Sequence, residues 1–349
     1  MPSNFSSAYF AGNKLLRASW LRGSNAFLNA ALTSDAARII LLDHGNPLVH
    51  KSNERRKQLF LAKWADIRSA VLACVNEPAH GVFGCEPYGL QMSDKSTNTK
   101  KWLTGTSGIV SPLLSLAFLG LDEAQPRFTM PANSNIHIPA GTPYFALSLS
   151  HRPPNIESPT PCEVLRDTLL KRYDVLDMRF AVAFGSLARE EASILGPARS
   201  LLDWNERYKF CPACGSELYS AWSGHKRICS SLLSTLAKPS MFIQLSGQVP
   251  AHECISWTSM QNYTYPRTDP VVLVGVVNAT NDKILLGRKK GWPNGFYSCI
   301  AYVQTTYHSG FVEQGETIED AARREAMEET GLDIGHVTYQ WCVTKLRAS

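Results

Sequence analysis

One stretch of this chain limits its folding options more than any other: Gly310-Phe-Val-Glu-Gln-Gly-Glu-Thr-Ile-Glu-Asp-Ala-Ala-Arg-Arg-Glu-Ala-Met-Glu-Glu-Thr-Gly-Leu332. Glu316 to Thr330 reads as a charged helix, with Thr317 as N-cap, Asp320 three residues later and Gly331 as its stop. Glu325, Glu328 and Glu329 then stand at i, i+3 and i+4, so three carboxylates project from one face. Bare, they repel one another. A hard divalent cation removes that cost, and carboxylate oxygens are the ligands Mg²⁺ selects. Arg324 lies beside them, placed to hold Glu316 by a charge-assisted bond. The loop 310–315 brings backbone to the same spot. A metal next to a backbone loop suits phosphoanhydride hydrolysis, where it activates water and neutralises charge on phosphate oxygens. The competing reading of three glutamates alone is a solvated acidic helix face.

A second cluster lies upstream. Cys211-x2-Cys214, with Gly215 just after, followed by Cys229, reads as three ligands of a tetrahedral structural zinc. Cys254 is the next cysteine; His225 and His252 are the other nearby donors. The redox alternative lacks a surrounding βαβ pattern. The cysteine total of nine is odd, and the start Met1-Pro-Ser-Asn-Phe-Ser-Ser lacks a basic then apolar signal, so reduced thiols of an intracellular protein are expected.

At 349 residues the chain is long enough for about two domains with a small module between them. With 44% hydrophobic and 19% charged residues, a disordered chain, a collagen-like fibre and a coiled coil are excluded. No apolar run approaches the roughly 20 residues of a membrane span. A net charge of +5 permits an anionic substrate but does not mark a nucleic-acid binder, because Lys and Arg are spread among Asp and Glu.

The pattern predicts a helix over Trp20–Leu32, a buried strand over Ala37–Asp43 ended by a Gly45-Asn46-Pro47 turn, and helical spacing from Glu54 to Val75. Ser111–Leu121 is apolar, Tyr144–Leu149 reads as a strand, and a Pro-rich loop spans Arg152–Pro161. Ser186–Leu195 reads as a helix broken by Gly196-Pro197, with a second helix from Pro197 to about Arg207. Val271–Val277 reads as a buried strand, joined through the turn Asn278–Asp282 to a second strand, Lys283–Arg288.

Gly310, Glu316, Arg324-Glu325, Glu328-Glu329 and Gly331-Leu332 reproduce the Nudix box, G-x5-E-x7-R-E-U-x-E-E-x-G-U, with Ala326 at the first aliphatic position. The chain therefore resembles the Nudix hydrolases. Tyr265-Pro-Arg-Thr-Asp-Pro270, Phe10-Ala-Gly-Asn-Lys-Leu-Leu-Arg17, Ser19-Trp-Leu-Arg22 and Ala198–Asn205 running into Phe210–Gly215 are similar to the NADH pyrophosphatase branch, most of all to its fungal members. The resemblance implies an α+β chain: an N-terminal Nudix-like domain over residues 1–207, a zinc ribbon with an insertion over 208–265, and an α/β/α-sandwich Nudix domain from 266 to 349, truncated. It implies a homodimer that hydrolyses NADH or NAD⁺ to nicotinamide mononucleotide and AMP, with NAD-cap removal from RNA as a second activity. Mg²⁺ or Mn²⁺ would be held by Glu325, Glu328 and Glu329. One of them, or the metal-activated water itself, would serve as base. Tyr265 and Phe311 match substrate-contacting aromatics, for which core packing is the plainer alternative.

The branch is departed from at three places. Cys229 and Cys254 are separated by 24 residues, Ser230 to Glu253, where the branch has a few; Cys254 is the preferred fourth zinc ligand. Tyr302–Ser309 separates Ser298-Cys-Ile-Ala301 from Gly310-Phe311, which leaves Ala301 and Ser309 both open as the donor of a metal-binding carbonyl. The chain ends 17 residues after the box; Val337-Thr-Tyr339 resembles the next strand, but Trp341–Ser349 resembles nothing in the branch, whose substrate-selecting signature follows there. Translated introns or a mispredicted gene model would account for the two insertions and the abrupt end; transcripts that skip the Ser230–Glu253 and Tyr302–Ser309 codons would support this, and a continuous transcript carrying both would count against it. The end Arg347-Ala348-Ser349 does not read as the peroxisomal address common in the branch, so the expected location is cytoplasmic or peroxisomal. The competing functions are a Nudix enzyme for another dinucleotide such as ADP-ribose, an RNA decapping enzyme, and an inactive zinc-ribbon binding protein.

Overall fold

The computed structural model describes residues 10, 12–75, 81–84, 109–125, 127–130, 139–153, 156–178, 181, 185–229, 254–255, 270–288, 290–292, 294–299, 311–313 and 315–339. Tyr265, His252, Gly310, both insertions, Ala301 and Trp341–Ser349 lie outside them. The chain divides into two units, the second covering Arg267–Cys342.

The first unit is built on a sheet whose apolar runs are buried on both faces. Its strands are β1 (Arg38–Asp43), β2 (Asn46–His50), β3 (Leu61–Ala62), β4 (Leu116–Asp122), β5 (Thr142–Ser148) and β6 (Tyr173–Val175), in the order β4-β5-β1-β2-β6, with β3 also on β1. β1 runs parallel to β5, with Arg38 opposite Tyr144 and Leu42 opposite Ser148; the other pairs are antiparallel. Successive side chains leave opposite faces. Ile39 and Leu41 therefore join one core with Phe118, Phe145 and Leu147, while Ile40 and Leu42 join another with Ala117, Leu119 and Ala146. This is why the Ile-Ile-Leu-Leu run shows no alternation.

Helices α1 (Asn25–Thr33) and α2 (Trp64–Ala73) bury Phe27, Leu28, Ala31, Leu32, Ile67 and Val71 in the first core. α3 (Pro161–Leu169) adds Cys162 and Leu169 to it. α4 (Arg189–Arg207) covers the second core with Ala192, Leu195, Ala198, Leu201 and Leu202.

Three sequence expectations are corrected here. The helix expected from Trp20 starts at Asn25, because Ser24 caps it by accepting from the Phe27 N–H at 3.3 Å; Ser19–Leu21 is a separate 3₁₀ turn. The helical spacing from Glu54 becomes helix only at Trp64, where the Asp66 carboxylate accepts from the Lys63 N–H at 2.8 Å. Upstream, the chain returns beside β2 (His50 N–H to Gln58 carbonyl, 3.0 Å) and buries Leu59 and Ala62 against the sheet. Finally, Pro197 does not break α4, which continues through it. A mid-helix proline costs about 3 kcal/mol. Burying Leu195, Leu201 and Leu202 at roughly 1.5–3 kcal/mol each outweighs that cost.

A two-stranded hairpin, β7 (Leu218–Ala221) with β8 (Lys226–Cys229), follows α4. Its turn caps the edge strand β4. Phe118 N–H donates to both the carbonyl (3.0 Å) and the Oγ (2.9 Å) of Ser223, and His225 Nε2 meets the Phe118 carbonyl at 2.8 Å. The approach demands glycine at 224, which holds φ +90°, and whose Cβ would lie 2.7 Å from that of Ala117. The Arg227 guanidinium closes the hairpin onto the end of α4, donating to the Tyr208 carbonyl (3.0 Å), Asn205 Oδ1 (3.3 Å) and the Leu218 carbonyl (2.7 Å). Burial pushes its pKa down to about 9.

Two imidazoles, buried His225 and half-buried His151, make this unit sensitive to acid. Burial pushes His225 down to about 3 and His151, which meets the Pro112 carbonyl at 3.0 Å, down to about 4. The unfolded chain protonates both near 6.5, so below that pH it binds more protons than the folded chain and stability falls as pH drops. The expected slope is about 1.4 kcal/mol per pH unit per histidine between 6.5 and the folded value. Urea midpoints at pH 7 and pH 5.5 should fall together with pH, and His151→Gln should flatten the dependence; an unchanged slope in that variant would refute the assignment.

In the second unit α5 (Ile318–Thr330) covers a strip around Val272. Val272 and Val274 pack on Ala321 and Ala322, joined by Val276, Val312, Ile334 and Val337. The expected hairpin is present as a pairing of Val277 with Ile284, closed by Leu285 N–H to the Val276 carbonyl at 2.8 Å. The strand expected to be buried throughout instead alternates, with Val271 and Leu273 facing outward. Thr317 Oγ1 caps α5 by accepting from Asp320 N–H at 3.1 Å, and Gly331 ends it with φ 72°.

Candidate functional site

The loop before α5 is tied to the helix by one arginine. Arg324 grips Glu316 with two bonds, Nε to Oε1 at 2.7 Å and Nη2 to Oε2 at 3.0 Å. The same Nη2 donates to the Phe311 carbonyl at 2.6 Å. Its Nη1 reaches Glu325 Oε1 at 2.8 Å and Glu328 Oε2 at 3.1 Å. The backbone of Phe311 pairs with Val271, and Val312 N–H donates to the Pro270 carbonyl at 2.9 Å, so loop, strip and helix are fixed to one another. The Arg324 bonds hold the Glu316 carboxyl below the usual carboxylate range, and the acids in turn push the Arg324 guanidinium up.

The three glutamates share a face, as their spacing requires, but not an environment. Glu325 is buried, its side chain 2% exposed; Glu329 is half-buried; Glu328 is exposed. Their oxygens do not converge: among the described residues, the cysteines alone bring three or more potential metal-ligand atoms within 4.8 Å of one another. Arg324 draws Glu325 and Glu328 toward itself, and neighbouring carboxylates repel. The donor set is nonetheless all oxygen, the chemistry Mg²⁺ takes, and that ion needs only one or two carboxylates beside water and phosphate. The structure thus brings together Glu316, Arg324, Glu325 and Glu328 and the backbone of Phe311; Tyr265 is not among the described residues. The Phe311 carbonyl is a participant that sequence reasoning missed, since a backbone contact leaves no trace in side-chain spacing.

The second cluster is tight. Cys211, Cys214, Cys229 and Cys254 bring their sulfurs within 4.8 Å of one another, with Cys211–Cys254 at 3.7 Å and Cys214–Cys229 at 3.4 Å. A tetrahedron with metal–sulfur bonds near 2.3 Å has edges of about 3.8 Å, so the set fits one four-coordinate ion. The hairpin places these thiols. Cys211 N–H donates to the Ser216 carbonyl at 2.7 Å and Gly215 N–H to the Cys211 carbonyl at 2.8 Å, which closes the Cys-x2-Cys turn, while β8 delivers Cys229. His225, the other described donor, is engaged with Phe118 instead.

Comparison with known proteins finds two family domains. Residues 269–349 match the NUDIX domain family, and residues 36–204 match the family described as NADH pyrophosphatase-like rudimentary NUDIX domain. The chain is 40% identical over 156 residues to human NAD-capped RNA hydrolase NUDT12, covering 45% of this chain and 28% of that protein. It is 28% identical over 341 residues to Saccharomyces cerevisiae NAD-capped RNA hydrolase NPY1, covering 94% of this chain and 72% of that protein. Human mitochondrial NAD(P)H pyrophosphatase NUDT13 is 29% identical over 157 residues, 45% of this chain and 34% of that protein. The aligned part thus spans under a third of the human NUDT12 relative. The chain thus carries a NUDIX domain over residues 269–349 and a rudimentary NUDIX domain of the NADH pyrophosphatase-like kind over residues 36–204. Among the described residues no helix is long and apolar enough to cross a membrane.

Proposed function

We propose that this chain hydrolyses the diphosphate of NADH or NAD⁺ to reduced or oxidised nicotinamide mononucleotide and AMP, and removes NAD caps from RNA. The observation that carries the proposal is the bracing by Arg324 of Glu316, Glu325, Glu328 and the Phe311 carbonyl, together with relatives named for NAD-capped RNA and NAD(P)H. Glu325, Glu328 and Glu329 are the residues to hold Mg²⁺ or Mn²⁺, which supplies Lewis-acid activation of the phosphate and of water. Arg324 keeps the loop against α5, so the carboxylates face substrate from a fixed helix. One of them accepts the proton of the water that attacks phosphorus. Tyr265 and Phe311 contact the substrate. Cys211, Cys214, Cys229 and Cys254 hold a structural Zn²⁺. The layout is a Nudix-like domain to residue 207, a ribbon to 265 and a catalytic domain beyond. By likeness to its branch the protein is a homodimer of the cytoplasm or the peroxisome.

The test is incubation of the purified chain with NADH and Mg²⁺ or Mn²⁺, resolving products by chromatography. AMP and reduced nicotinamide mononucleotide in equal amounts are expected. Turnover of ADP-ribose with NADH untouched would replace the substrate assignment, and no turnover of either would sink the proposal for this chain.

A further inference from the structure

The linear sequence offers no basic patch interleaved with aromatics, but the fold assembles one. β2 ends at His50, and the chain turns through residues 51–57, which carry Lys51, Arg55, Arg56 and Lys57. β6 begins beside it, with Tyr173 opposite His50 in register, and is preceded by Lys171 and Arg172. The two segments touch: Lys51 Nζ donates to the Lys171 carbonyl at 3.0 Å. Here six cations face two acids, Glu54 and Asp174. Lys51, Arg56, Lys171 and Arg172 are exposed, and among the described residues they form no ion pair. Aromatics sit between the segments. Phe60 stacks on Tyr173 at 3.8 Å, His50 meets both edge-on, and the Arg172 guanidinium lies 5.8 Å from the Tyr173 ring centroid.

We propose that this end of the first unit's sheet binds the phosphodiester backbone of single-stranded RNA, as the body of a capped substrate. The proposal rests on the RNA part of the proposed function. Clustered cations beside an exposed aromatic edge, here His50 next to the half-buried Tyr173, are the chemistry that tracks a single strand, with guanidinium and ammonium groups on phosphates and the imidazole at hand for a base. A membrane surface fits less well: an interfacial anchor inserts apolar side chains beside its cations. Here Leu59 and Phe60 are buried in the fold.

The test uses the full-length chain and a fluorescent, uncapped single-stranded RNA, with anisotropy read over a salt series. The triple variant Lys51→Gln/Arg56→Gln/Arg172→Gln is compared with Lys14→Gln/Lys63→Gln/Arg68→Gln, which removes the same charge from exposed positions elsewhere in the unit. The patch variant should bind roughly tenfold more weakly, and its log-affinity against log-salt slope should be shallower by about 2, three contacts at about 0.7 each. The control variant should match the parent, and all three should turn over NADH alike. Equal weakening in both variants, no binding by the parent, or loss of affinity for anionic vesicles while RNA binding persists would each overturn the proposal. Failure of the parent to cleave NADH would sink the catalytic proposal alone, because RNA binding is read without turnover.

Discussion

Glu325→Gln should lower kcat on NADH by roughly a hundred- to ten-thousand-fold while leaving α5 folded. The side chain is buried and bonded to Arg324 Nη1 at 2.8 Å. The amide keeps the shape and one acceptor oxygen, so Arg324 retains its partner and the helix its packing on Val272 and Val274. What disappears is the negative charge, which is needed both to attract a divalent cation and to accept a proton. Far-UV circular dichroism and urea midpoints should match the parent, and raising Mn²⁺ should recover only part of the rate. A variant within about threefold of the parent at saturating metal would show that Glu325 stands outside the chemistry.

Cys229→Ser should produce the largest structural effect, purifying with little zinc and melting about 10 °C or more below the parent. Four thiols have converged with sulfurs 3.4 and 3.7 Å apart in the two closest pairs. Without an ion, deprotonation of such a group meets like-charge repulsion; with one, metal binding becomes folding free energy. The damage should spread past the cluster, because the same hairpin satisfies the edge of β4 through Ser223 and His225. Metal content by plasma mass spectrometry and melting by circular dichroism, with a strong zinc chelator on the parent as a parallel route, decide it. A parent free of zinc, or a variant that melts like the parent, would remove the structural-metal assignment.

Features carried by local spacing were readable before the fold. Thr317 and Gly331 bound α5, and Glu316 meets Arg324, because each depends on residues within a few turns of helix. The cysteine set was readable as well, although 24 residues intervene before Cys254, because thiols in such a set have few other uses. Tertiary burial misled the reading elsewhere. Pro197 stays inside α4 because the sheet rewards its neighbours, and the run after Glu54 gives its apolar residues to β1 before any helix begins. The Lys51–Tyr173 assembly was invisible for a related reason, its halves lying far apart in the chain and meeting only through the pairing of β2 with β6.

The position of β5 dictates an order of events during synthesis. β1 and β4 both bond to β5, so β4 lacks its partner strand and β1, paired only with β2 and β3, keeps one open side until Thr142–Ser148 leaves the ribosome, roughly a hundred residues after β1. Until then Ile39–Leu42 and Leu116–Leu121 present apolar, open-edged backbone to the cell. A nascent chain stalled in that interval is a substrate for holding chaperones and a seed for aggregation. Slow codons or heat between β4 and β5 should therefore reduce the yield of this protein more than the same delay placed after Ser148.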